Sequence, residues 1–129
     1  MRFTFILIPI LGLLLSSCTT SMQSQRLASI SQRKVGTYFR YGQSLQCANF
    51  VGDCVQKAGM RPPSGQAKAR NWLAWGRSVP YSMKQPGDIV VTWRTLKYHS
   101  SNGHILIYVG EKNGKPTAVH RPTRYSKVQ

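Results

Sequence analysis

The order of elements in this sequence predicts an α+β fold, helices first and a small antiparallel sheet after them. Three observations carry that expectation. From Cys47 the apolar residues fall at 47, 50, 51, 54, 55 and 58, the i, i+3, i+4, i+7 rhythm of an amphipathic helix. A second helix-like run, "GQAKARNWLAW", ends at Gly76. Three β-rich runs then come in succession, "DIVVTWR", "HILIYVG" and "PTAVHR", rather than alternating with helices.

The N-terminus precedes this fold. Arg2 is followed by "FTFILIPILGLLL", thirteen residues from Phe3 to Leu15. That is short of the roughly 20 residues a membrane span needs, and it fits the apolar region of a secretory leader. The run closes in Leu15-Ser16-Ser17-Cys18, which resembles the lipobox of bacterial lipoproteins. The resemblance implies a leader over 1–17, cleavage before Cys18, and acylation of that cysteine by more than one chain, enough for stable anchoring. Thr19 stands where an Asp would retain such a protein in the inner membrane, so a Gram-negative host would sort it to the outer membrane. Residues 18–32, "CTTSMQSQRLASISQ", are polar and Ser/Gln-rich and read as a tether, although Leu27 and Ile30 could begin a short helix. The folded domain is expected over 33–129.

The processed chain of 112 residues suits one domain with a modest core. Without Arg2 it carries 17 Lys and Arg against Asp53, Asp88 and Glu111, a net charge of +14. Such a field attracts polyanions. An exported chain meets lipid head groups, wall polymers and stem-peptide carboxylates rather than nucleic acid, so no nucleic-acid partner is expected.

In the first predicted helix, Ser44 is a candidate N-cap and Gly59 a C-terminal stop. Cys47 and Cys54 are separated by about 10.5 Å along such a helix, too far for a disulfide within it. Their spacing does not suit a metal site, and no cofactor is expected. Cys54 lies on the apolar stripe and reads as a small buried hydrophobe. Cys47 differs because it falls in the first turn. Unpaired N–H groups and the helix dipole there stabilise negative charge, as a thiolate nucleophile requires.

Further along, "RPPSG" breaks the chain and Ser64 could cap the second helix. Trp72 and Trp75 on it read as core or cleft wall, and His99 in "KYHSSNGH" as a loop residue. "QPG" is a turn before the first strand.

The pieces "GTYFRYGQSLQCANFV", "QPGDIVVTW", "GHILIYVG" and "AVHR", in that order, resemble the NlpC family of cell-wall cysteine peptidases. That family belongs to a papain-like superfamily that includes the CHAP amidases. The match runs from about Gly36 to Arg121. It implies a papain-like fold, Cys47 as nucleophile, His104 as general base and His120 as the residue orienting that base. Tyr41 and Gly42 would line the substrate site. Two departures stand out. Gln46-Cys47-Ala48-Asn49 replaces the usual Asp-Cys-Ser-Gly and is closer to the CHAP branch, and the chain ends nine residues after His120. The implied activity is hydrolysis of an amide in peptidoglycan stem peptides, or of the sugar–peptide amide. Two alternatives stay open: a non-catalytic envelope lipoprotein binding wall or a protein partner, and an acyltransferase using the same thiol chemistry.

The turn "EKNGK" decides whether His120 can join His104. A two-residue Asn113-Gly114 turn would set Lys112 opposite Lys115 and His120 opposite Ile107, on the wrong face of the strand. A three-residue Lys112-Asn113-Gly114 loop would pair Glu111 with Lys115 and set His120 opposite Leu106, on the His104 face. The sequence reading therefore expects the three-residue loop, with Gly114 at positive φ.

Overall fold

The computed structural model describes residues 22–37, 46–93, 103–121 and 127–129. Two α-helices come first, α1 over 22–33 and α2 over Gln46–Lys57. Short 3₁₀ helices follow at Ala69–Ala74 and Tyr81–Met83. Strands β1 (Ile89–Trp93), β2 (Gly103–Lys112) and β3 (Lys115–Val119) form an antiparallel sheet in the order β1-β2-β3. The architecture is α+β.

The apolar stripe of α2 is buried as its spacing predicts. Phe50, Val51, Cys54 and Val55 pack with Ile105 and Ile107 of β2, and α2 lies against that strand. Burying each large apolar side chain contributes about 1.5–3 kcal/mol. Gly59, at φ 86, ends the helix as expected.

Helix α1 corrects the tether. Residues 22–33 are helical, and Leu27 (1% exposed) and Ile30 (8%) join the same core. Ala28 and Ser31 complete the buried face, and the Ser31 hydroxyl donates to the Ala28 carbonyl at 2.8 Å. The helix is also held at its first turn. Gly87 has φ 97, and a Cβ there would lie 2.1 Å from the Ser24 carbonyl oxygen, so only glycine lets the β1 turn approach α1 this closely.

The second predicted helix is a 3₁₀ segment with turns before it. Side chains add bonds to carbonyls of the turns that precede it. Asn71 Nδ2 donates to the Gly65 carbonyl at 2.8 Å and Trp72 Nε1 to the Gln66 carbonyl at 2.9 Å. Trp72 is core, and Trp75 meets it edge-on with centroids 5.3 Å apart.

The hairpin turn also differs from expectation. Asn113 (φ 53) and Gly114 (φ 70) form a two-residue turn, and Lys112 faces Lys115. Two successive left-handed residues match the twist of the flanking strands, which is why Asn-Gly favours this turn. Both lysines are exposed, so solvent screens their repulsion. The extra residue sits further along. The register shifts between Tyr108 and Gly110, leaving Val109 as a bulge, and Ile107 then pairs with Val119. The next step of that register sets His120 across from Leu106.

Candidate functional site

Three elements position the candidate site. Cys47 is in the first turn of α2, partly buried and packed against the core. His104 is the second residue of β2, paired with Thr92 of β1 and 8% exposed. His120 directly follows β3. Tyr41, Gly42, Ser44, His99 and the lipobox residue Cys18 lie outside the described residues.

The structure brings the two histidines into contact. His104 Nε2 and His120 Nδ1 are 2.7 Å apart, with the rings at 81° and their centroids separated by 5.0 Å. At that distance one nitrogen carries the proton and the other accepts it, so the shared edge excludes a doubly protonated pair. Burial holds the His120 pKa below the ordinary value of 6.5. A neutral His120 suits the acceptor role. The contact fixes Nε2 as the His104 nitrogen that meets His120 and leaves Nδ1 as its other, buried ring nitrogen.

The Val109 bulge makes the contact available. The chain end fixes it, through a feature the sequence reading did not find. The His120 N–H donates to the Gln129 carbonyl at 2.9 Å, and the Gln129 N–H donates back at 3.0 Å. Val128 is buried in the core, and its N–H and C=O bond to the Thr37 carbonyl and the Gly36 N–H. Residues 127–129 thus tie His120 to the segment after α1. Three residues, "KVQ", are too short to show a strand period.

Cys54 behaves as a core residue. It has 0% exposure, and burial, reinforced by the charge of Asp53, pushes its thiol up to about 12. Cys47 and Cys54 are both free. Strand alternation sets His104 on the face of β2 opposite Ile105 and Ile107, which pack on α2. Among the described residues, no three His, Cys, Asp or Glu side chains converge as a metal site would need.

No protein-family model, curated protein or solved structure matches this chain.

Proposed function

We propose that this chain is a lipid-anchored cysteine hydrolase of the NlpC/CHAP type that cleaves an amide bond in peptidoglycan stem peptides. The His104–His120 contact at 2.7 Å carries the reading. It pairs two residues of β2 and the β3 end, sixteen positions apart, in the relation that a general base has to the group orienting it.

In this mechanism the Cys47 thiol gives its proton to His104 Nδ1, and the thiolate attacks the substrate carbonyl. The developing imidazolium is stabilised through Nε2–H donating to His120 Nδ1. Backbone N–H groups of the first turn of α2 stabilise the oxyanion. His104 returns the proton to the leaving amine, which departs as the C–N bond breaks. Water then attacks the thioester, with His104 taking its proton, and the acid and free thiol are released.

Cys18 carries the lipid in this reading, and the protein works in the cell envelope, on the periplasmic face of the outer membrane in a Gram-negative host. Among the described residues no helix is long and apolar enough to cross a membrane. The test is digestion of purified peptidoglycan by the processed protein and by Cys47→Ala, with products read by mass spectrometry. Amide-cleaved muropeptides from the first and not the second support the proposal. Products joined to a new amine would make the enzyme an acyltransferase, and intact wall in both digests would leave the fold without this activity.

A further inference from the structure

Among the described residues, helix α1 has an outward face that stays exposed. Met22, Arg26, Ser29 and Arg33 follow the i, i+4, i+7, i+11 spacing of one helical stripe, and all four are exposed. Gln25 and Gln32 flank them, and no acidic residue occurs on this helix. Met22, at the start of the stripe, is 67% exposed. The Arg26 guanidinium lies over the Gly59 turn, with Nη1 4.0 Å from where a Cβ would stand. Lys34 is near enough to Lys57 and Cys54 to act on both, and extends the positive surface along α2. Of the acids close to α1, Asp53 is bound to Lys57 at 2.7 Å, and Asp88, next to Gly87, accepts from the Gln85 N–H at 2.7 Å.

The length of chain before this helix identifies the occupant. Only Thr19, Thr20 and Ser21 separate Cys18 from Met22. Four residue steps span at most about 14 Å. A lipid on Cys18 would therefore hold the first turn of α1 within that distance of the bilayer surface. We infer that the Met22–Arg26–Ser29–Arg33 face of α1 docks on the anionic phospholipid surface of the membrane that holds the Cys18 lipid. The inference rests on the reading of Cys18 as an anchor. Charge complementarity supports it, since the processed chain carries +14 and basic side chains near an anionic leaflet add attraction individually.

The docked arrangement has a direction. Arg26 sits over Gly59, just beyond the C-terminal end of α2, whereas Cys47 is in the first turn of that helix. Twelve helical residues extend about 18 Å. Docking through α1 therefore places the membrane at the end of α2 away from the thiol and leaves the candidate site directed toward the wall.

Arginine footprinting tests the docking on the processed, lipidated protein. It is bound to vesicles of phosphatidylcholine, with or without roughly one-third phosphatidylglycerol, and treated with phenylglyoxal before peptide mass spectrometry. Expected is flotation with both vesicle types, with Arg26 and Arg33 modified about fivefold more slowly on the anionic ones. Arg77, exposed and outside this face, is expected to react equally on both. High salt should abolish the difference. Equal modification of Arg26 and Arg33 on both vesicle types would overturn the docking while leaving the anchor intact. Equal protection of Arg77 would show adhesion without a preferred face and also overturn it. Protection of Arg26 and Arg33 by isolated peptidoglycan, without lipid, would reassign the face to the wall. Failure to float with neutral vesicles would refute the Cys18 anchor, and the docking with it.

Discussion

Cys47 and Cys54 share one helix and one apolar stripe, yet the fold gives them different surroundings. Cys54 is enclosed by α2, β2 and the Leu27–Ile30 face of α1, and its thiol is pushed up to about 12. Cys47, two turns earlier, keeps partial exposure in the first turn, where the helix dipole favours negative charge. The difference shows that a thiol's surroundings are set by position along a helix and by what covers it. Residue type and periodicity do not distinguish the two.

The largest expected effect breaks or confirms that contrast directly. Cys47→Ser should lower peptidoglycan turnover at least about 10³-fold while the protein stays folded, because a hydroxyl beside a histidine is a far weaker nucleophile. Cys54→Ala should keep turnover within a few-fold. Steady-state product release with circular dichroism as the folding control checks both, and equal losses in two folded variants would erase the distinction.

Gly87→Ala is expected to be next in size. A Cβ there meets the Ser24 carbonyl and the residue sits at φ 97, so α1 has to shift, at about 2–3 kcal/mol of unfolding free energy. Loosening α1 uncovers Cys54. Alkylation of Cys54 should therefore accelerate in this variant while that of Cys47 does not change. Unchanged denaturation and unchanged Cys54 labelling would mean that α1 does not seal the core.

His120→Ala should reduce turnover roughly 100-fold by removing the group that orients His104. His120→Asn, which can still accept from Nε2, should recover part of the loss. Loss of stability alone, without a kcat effect, would place His120 outside the mechanism. Cys54→Ala gives a smaller effect, about 1 kcal/mol of stability.

The smallest effect is on pH. The folded His120 pKa lies below 6.5, so the unfolded chain binds its proton first as pH falls. The stability is fully present above about pH 6.5 and is lost as pH drops through the folded value. Denaturation midpoints should therefore decline on acidification through this range in the wild type and less in His120→Ala. Identical pH slopes would remove His120 as the titrating group.

Much of the arrangement was legible in the sequence because its signals were periodic. The α2 stripe, the three strands and the separation of the two cysteines all follow from spacing. Helix α1 was obscured because only Leu27 and Ile30 are large and apolar on its buried face. Ala28 and Ser31 finish that face, and neither marks a core in a Ser/Gln-rich run. The hairpin shows a different limit. The expectation that His120 shares a face with His104 agrees with the structure, while the three-residue turn offered as its cause does not. The one-residue offset comes from the bulge at Val109, and Asn113-Gly114 keeps its ordinary two-residue geometry. A pairing register reports the sum of irregularities between two strands, and the sequence did not reveal which position carried this one. The bond from Gln129 to His120 left no pattern to read.

The most direct test of the central claim is to trap the intermediate. The processed protein is mixed with solubilised stem-peptide substrate, quenched in acid within the first turnover, and mapped by peptide mass spectrometry. The account predicts a substrate-derived acyl group on the Cys47 peptide, absent from the Cys54 peptide and from Cys47→Ala. Amide cleavage without any adduct on Cys47, continuing undiminished in Cys47→Ala, would contradict it.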